Sequence, residues 1–174
     1  MNKIVKVFLS AVFIFTIVLV LAMIIADALG AFEGGGDPIE YANRILHINL
    51  PDDTSVIVDE YAGPSSSTGD GYSWSVLQVS QEEMDFFASR LAYNSHWQPL
   101  PISADLVQCE DNLQPKFVSG IEGEIPVSDA TGYYFFTDNQ EDSPEPFCER
   151  ISYSYKFALF DDGDGKLYLW HIDT

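Results

Sequence analysis

The most pronounced pattern in the chain is a nearly continuous hydrophobic run from Val7 to Ala26, which only Ser10 and Thr16 interrupt. A helix of this length extends roughly 30 Å at 1.5 Å per residue, which matches the hydrocarbon core of a bilayer. The run therefore predicts a single transmembrane helix over residues 7–26.

Charges on either side of this run predict its orientation. Lys3 and Lys6 precede it, whereas acidic residues follow it. Because basic residues stay on the cytoplasmic side, we expect residues 1–6 inside and the chain beyond the helix outside, as in a signal-anchor protein. The alternative is secretion after cleavage near Ala26-Asp27-Ala28, although the run is longer than the hydrophobic region of a usual signal peptide. No cysteine follows the run, which excludes a lipoprotein anchor.

Beyond the hydrophobic run, the glycine-rich segment 27–38 predicts a flexible linker, and residues 39–174 a single extracytoplasmic domain. Apolar and polar residues alternate over Leu46–Leu50, which is typical of a half-buried strand. Turn residues occupy Pro51–Thr54, so a second strand over Ser55–Tyr61 is predicted to complete a hairpin.

One helix is predicted in the middle of the domain. After an alternating segment from Tyr72 to Val79, Ser80–Glu83 has the form of a capping box, and we expect the helix to extend to about Asn94. The prolines of Trp97–Pro101 prevent further helix. The apolar positions of the helix, which we expect to face a sheet, are Met84, Phe87, Ala88 and Leu91.

The C-terminal part of the chain predicts mainly strands. Segment 103–127 has no clear period and predicts irregular structure with short strands, whereas Gly132–Asp138 is an aromatic strand candidate. Ile151–Phe160 and Leu167–Ile172 predict a hairpin closed by the turn Asp161–Lys166. The predicted fold class is α+β, with one helix packed on a small antiparallel sheet.

The charge of the chain is strongly one-sided. It contains 27 acidic and 8 basic residues, and every acidic residue lies at or beyond Asp27. Such a domain repels nucleic acid, so we expect no nucleic-acid partner. Three explanations remain open for the acidity: solvation of an exported domain, attraction of cations or a basic partner, and adaptation to high salt.

The acidic turn near the C-terminus is the one candidate metal site. Asp161, Asp162 and Asp164 supply closely spaced carboxylates, as calcium requires. The spacing and the closing glutamate of an EF-hand are missing, so a plain hairpin turn is favoured over calcium. No other motif predicts a metal, and no cofactor is expected.

The two cysteines of the chain, Cys109 and Cys148, both lie in the predicted outer domain. A pair of cysteines in an exported domain favours one disulfide. Two free, buried thiols are the alternative.

No nucleophile–base pair or phosphate-binding motif is evident, which favours a binding module over an enzyme. The unidentified partner would be an extracytoplasmic protein or an envelope component; a hydrolase with an unrecognised site is the alternative. The longest polar loop and a nearby tryptophan are the candidate contact residues, because long loops and aromatic side chains often mediate recognition. They are Ser65, Ser66, Ser67, Thr68, Gly69, Asp70, Gly71 and Trp97.

Several short motifs resemble those of a group of short, membrane-anchored, uncharacterised proteins of Gram-positive bacteria. They are Gly69-Asp70-Gly71, Trp97-Gln98-Pro99-Leu100-Pro101, Gly132–Asp138 and the C-terminal aromatic hairpin. The resemblance implies a membrane-anchored outer domain and no particular activity. The histidine- and glycine-rich stretch that often precedes Gly-Asp-Gly in that group is replaced here by Tyr61-Ala62-Gly63-Pro64-Ser65.

Overall fold

The computed structural model describes residues 16, 37–62, 71–109, 125–126 and 130–173. The predicted transmembrane segment lies outside these residues apart from Thr16, as does most of the predicted linker. Within the described part of the chain, no helix is both long and apolar enough to cross a membrane. The chain divides into two units, residues 1–33 and 34–174, and the fold below is that of the second.

A six-stranded antiparallel sheet forms the domain, which confirms the α+β class. The strands are β1 (Ser55–Ala62), β2 (Gly71–Gln78), β3 (Trp97–Pro99), β4 (Gly132–Asp138), β5 (Ser154–Asp161) and β6 (Lys166–Asp173). Their spatial order is β1-β2-β6-β5-β4-β3, so β1 and β3 are the two edges. The helices are α1 (Pro38–Leu46), α2 (Met84–Ala92) and the single-turn α3 (Ala104–Val107), with a 3-10 turn at Phe147–Glu149.

Both faces of the sheet are buried, because large apolar side chains alternate along β2, β5 and β6. On one side, here called the helical face, Leu77, Phe160 and Leu169 pack against α1 and α2. On the other, here called the aromatic face, Trp74 and Trp170 lie in a cluster rich in ring side chains. The central strands are therefore a rigid support for the sheet edges.

Helix α1 corrects the prediction of a strand over Leu46–Leu50. Asp37 caps the helix by accepting a 2.9 Å hydrogen bond from the Ile39 amide, and Pro38 occupies its first turn. Asp37 is thus the N-cap of α1 and Pro38 is its first residue. The helix ends at Leu46, and His47 adopts a left-handed conformation.

The predicted hairpin of Leu46–Leu50 with the following strand is also wrong. After α1, the Ile48 amide donates to the backbone oxygen of Asn43, and the Leu50 amide donates to the side-chain oxygen of Asn43. These bonds fold the segment back onto the helix, so it has no strand partner. Strand β1 pairs with β2 instead.

Helix α2 confirms the predicted central helix, with Met84, Phe87 and Leu91 buried in the core. The predicted capping box is wrong. The helix begins at Met84, its N-cap Glu83 makes no side-chain capping bond, and Ser80 belongs to the preceding turn. The Glu83 amide donates to the backbone oxygen of Ser80, so a turn satisfies this group.

The C-terminal strands follow the prediction closely. β4 has the predicted bounds, and the β5–β6 hairpin closes at the predicted acidic turn. In segment 103–127 the described residues form the short helix α3 where short strands were expected. The remainder of that segment, apart from Ile125 and Pro126, lies outside the described residues.

A covering layer lies over the aromatic face. Ile102 and Ile125 are buried against it, and Phe147 packs edge-on to Tyr155 of β5. Cys109 and Cys148 lie within disulfide-bonding distance, with Cα atoms 5.1 Å apart, and are paired as a disulfide. The bridge joins the chain after α3 to the 3-10 turn.

Candidate binding surface

The polar loop predicted to make contacts connects the edge strand to its neighbour. Ala62 ends β1 and Gly71 begins β2, whereas residues 63–70 lie outside the described part of the chain. The predicted contact residues Ser65, Ser66, Ser67, Thr68, Gly69 and Asp70 all fall in that gap, so their role stays a prediction. Gly71 pairs with Asp173 at the end of β6.

Trp97 is a core residue, which corrects its assignment to an exposed contact surface. Only 5% of its surface is exposed. Its ring packs against Phe135 with centroids 5.9 Å apart, and its indole N–H donates to the backbone oxygen of Leu46 over 3.2 Å. A side chain held in this way joins β3 to α1 and offers no anchor to a partner.

The carboxylates of the acidic turn are occupied by hydrogen bonds within the protein. Asp161 accepts from the Gly163 amide at 2.9 Å, and Asp162 accepts from the Thr131 hydroxyl at 2.6 Å. Asp164 accepts from the Lys166 amide and forms a 2.6 Å ion pair with its ammonium group. In the described residues, no group of three or more His, Cys, Asp or Glu side chains is placed to hold a metal ion.

A row of polar residues crosses the helical face beside α1. Within it, Ser73 and His171 are register partners on β2 and β6, and Tyr41 of α1 hydrogen-bonds the Nδ1 atom of His171. A serine beside a histidine is a common nucleophilic pair, but Ser73 is only 6% exposed and so is closed to a substrate. The row consists of Tyr61, Ser73, His171, Lys156 and Thr137.

A shallow depression of about 310 Å³ lies beside the buried Arg150. The guanidinium Nη1 atom of Arg150 lies 2.9 and 2.8 Å from the two carboxylate oxygens of Asp138. The Nε atom of Arg150 donates to the backbone oxygen of Glu145. Asp138 therefore already neutralises this cation. Through these contacts, Arg150 holds the loop between β4 and β5.

The two edges of the sheet differ sharply. β3 has three residues, includes Pro99 and is followed by Pro101, and a proline has no amide hydrogen for an incoming strand. β1 has eight residues and no proline. No described strand pairs with the outer side of β1.

Strand β1 exposes apolar side chains next to acidic ones. Val56, Ile57 and Tyr61 are 42%, 51% and 41% exposed. Asp59 is exposed and Glu60 half-buried. The outer edge of β1 carrying these five residues is here called the β1 surface.

A β-bulge interrupts the register at one end of the β1 surface. Val56 pairs with Leu77 and Val58 with Val76, so Ile57 has no register partner in β2. Bulges increase the local twist and limit edge pairing, which leaves the regular stretch from Val58 to Ala62 as the part that an added strand can follow.

Sequence reasoning identified β1 as a strand but missed that it is an edge. Its alternation is weak, because Val56, Ile57 and Val58 are consecutive apolar residues in a strand whose outer side pairs with no described strand. Three adjacent β-branched residues beside Asp59 and Glu60 were the available signal. The predicted pairing with Leu46–Leu50 led to β1 being interpreted as a paired strand and not as an edge.

No protein-family model, curated protein or solved structure matches this chain. The resemblance to the membrane-anchored Gram-positive group therefore remains an expectation from the short motifs.

Proposed function

We propose that this protein is an extracytoplasmic interaction module, tethered to the membrane by residues 7–26, which binds an extended segment of a partner along the outer edge of β1. The tether is supported by the hydrophobic run and the lysines before it. The binding role is supported by the fold around the β1 surface.

The observation that carries the binding role is an eight-residue edge strand with exposed apolar side chains. Proteins usually protect such an edge by shortening it or placing proline or lysine on it. In the described residues, β3 is protected by its length and by proline, whereas the bulge at Ile57 protects only one end of β1. In strand addition, backbone hydrogen bonds supply affinity and side chains of the edge supply specificity.

The support behind β1 is rigid, which favours binding. β1 pairs with β2 at seven register positions, and β2 pairs with β6 along its whole length. Trp74 and Leu77 of β2 are fully buried on opposite faces. Because the edge is already ordered, the entropic cost of binding falls mainly on the partner segment.

Site-specific photocrosslinking in cells tests the binding role. A photoreactive p-benzoylphenylalanine in place of Ile57 should crosslink to a discrete partner, because Ile57 lies on the β1 surface. The same residue in place of Gln98, which is exposed on the protected edge β3, is the matched control. Equal crosslinking at both positions, or none at Ile57, would contradict the proposal.

A further inference from the structure

We infer that the partner segment of the β1 surface is basic: an extended peptide with two adjacent lysine or arginine residues flanked by aliphatic residues. This inference rests on the proposed function and specifies the chemistry of the partner. It follows from the placement of the acidic side chains along β1.

The stretch of sequence that contains β1 has no lysine or arginine to offset the acidity of this edge. Between Arg44 and Arg90 the chain has no lysine or arginine. Asp52 and Asp53 are exposed in the turn before β1, and Asp59 and Glu60 lie in the strand. A basic segment is therefore attracted to this edge, whereas an acidic one is repelled.

The two acidic residues of β1 project to opposite faces of the sheet. The carboxylate of Asp59 accepts a 3.0 Å hydrogen bond from the Ser75 hydroxyl, and Asp59 pairs in register with Ser75. Glu60 is the next residue and pairs with Trp74, so it projects to the aromatic face. A partner strand meets both charges only with two consecutive basic residues, one for each face.

Aliphatic neighbours in the partner follow from the rest of the β1 surface. Ile57 borders the regular stretch before the acidic pair and Tyr61 follows the pair, and both side chains are substantially exposed. Apolar and aromatic pairs across neighbouring strands are stabilising. Aliphatic residues on both sides of the basic pair would therefore contact this apolar area.

A second copy of this chain is a poor occupant of the same edge. Antiparallel pairing of two β1 strands about Glu60 places Glu60 against Glu60 and Asp59 against Tyr61 of the other copy. Like charges that face each other across strands are destabilising. The bulge at Ile57 further shortens the flat edge available for self-pairing.

Binding of labelled peptides to the full-length chain in detergent micelles, measured by fluorescence anisotropy, tests the inference. The probe is an eight-residue peptide, Thr-Val-Lys-Lys-Val-Thr-Val-Thr. Its controls replace both lysines by glutamine, replace both by glutamate, or methylate alternate backbone nitrogens while keeping the lysines. We expect saturable binding of the lysine peptide, at least fivefold weaker binding of the glutamine peptide, and none of the glutamate or N-methylated peptides.

Variants of the protein test whether the charge acts at this edge. Glu60→Lys should weaken the lysine peptide about fivefold or more and should improve binding of the glutamate peptide. Asp142→Lys makes the same change of charge at an exposed position in the loop after β4 and should alter neither. If thermal melting shows that Glu60→Lys does not fold, Asp53→Lys in the exposed turn before β1 serves the same purpose.

The outcomes separate the inference from the function beneath it. Equal binding of the lysine and glutamine peptides, both lost on N-methylation, would overturn the basic partner and leave strand addition standing. Equal binding of the N-methylated and unmodified lysine peptides would overturn strand addition. Failure of every peptide to bind up to about 1 mM would overturn both.

Discussion

Trp97 shows how the surroundings of a single residue decide its role. In the sequence it lies between a helix and two prolines, where an exposed aromatic corner is plausible. In the structure, pairing of β3 with β4 turns the ring into the core beside Phe135. The sequence carries no local signal for this pairing, because the two strands are more than thirty residues apart.

Truncation of Trp97 should therefore destabilise the domain. Trp97→Ala should lower the free energy of unfolding by about 3–5 kcal/mol, since it leaves a cavity and removes the hydrogen bond to Leu46. Tyr93→Ala, at a position that is 93% exposed, should change it by less than about 0.5 kcal/mol. Urea unfolding of both variants makes the comparison, and equal stabilities would show that Trp97 is not a core residue.

Tyr155 gives the domain a predicted sensitivity to alkaline pH. Burial raises the pKa of its phenol far above the usual value, and the hydrogen bond from the Trp170 indole only partly offsets this shift. Because the unfolded chain ionises from about pH 10 while the folded Tyr155 stays protonated, stability is lost as the pH rises above about 10.

The loss due to Tyr155 should approach about 1.4 kcal/mol per pH unit. Tyr155→Phe should have a shallower alkaline loss of stability, and chemical denaturation between pH 8 and pH 12 measures the slope. The pKa of Tyr168 is also raised by burial, so a reduced slope is expected and not its abolition. An unchanged slope in Tyr155→Phe would contradict the assignment.

Among the helices and strands, the sequence pattern predicted those elements whose formation depends on neighbouring residues. β4 and the β5–β6 hairpin were predicted because each is a short apolar run bounded by turn residues. The alternation of Leu46–Leu50 correctly predicts which residues are buried, since Leu46, Ile48 and Leu50 are buried while His47 and Asn49 are exposed. It does not predict a strand, because Asn43 takes the hydrogen bonds that a strand partner would have made.

Helix α1 was missed although its start signals are present in the sequence. Asp37 and Pro38 are a typical N-cap and first-turn pair, and Arg44 lies in the last turn. The glycines before them dominated the interpretation of this segment as linker. The false hairpin with Leu46–Leu50 also hid the candidate surface, because it gave β1 a strand partner on the side where no described strand pairs.

The Cys109–Cys148 disulfide should stabilise the layer over the aromatic face. It closes a loop of 39 residues, which corresponds to about 4 kcal/mol if the bridge acts mainly by restricting the unfolded chain. The double variant Cys109→Ser/Cys148→Ser should be less stable by this order in urea unfolding, and reduced wild type should match it. Alkylation of both thiols in protein purified without reductant would show that the bridge does not form.

In the whole molecule, a predicted membrane tether precedes an acidic domain. A C-terminal tag should be digested by protease added to wall-stripped cells, while the protein itself fractionates with membranes. Replacement of Leu19 and Leu21 by arginine should release the protein from that fraction, because charges in the bilayer centre are costly. Recovery of an intact, soluble species that begins near Leu29 would show instead that the segment is a cleaved signal.

The arrangement of the whole sheet explains why sequence motifs did not predict the partner. A site built from backbone edge groups needs no characteristic residue spacing, so only the strand order identifies it. The acidic composition indicated a basic partner as one of three explanations. The placement of Asp59 and Glu60 on the β1 surface, where no described strand pairs, connects that explanation to a surface.

Amide hydrogen exchange followed by NMR can detect strand addition at the outer edge of β1 residue by residue. With the lysine peptide bound to the full-length chain, alternate amides between Val58 and Ala62 should exchange more slowly, because every second amide of an edge strand points outward. The exchange rate of the Gln98 backbone amide on β3 should be unchanged. Slower exchange at β3 or α2 with no change in β1 would show that the peptide does not bind by strand addition to β1.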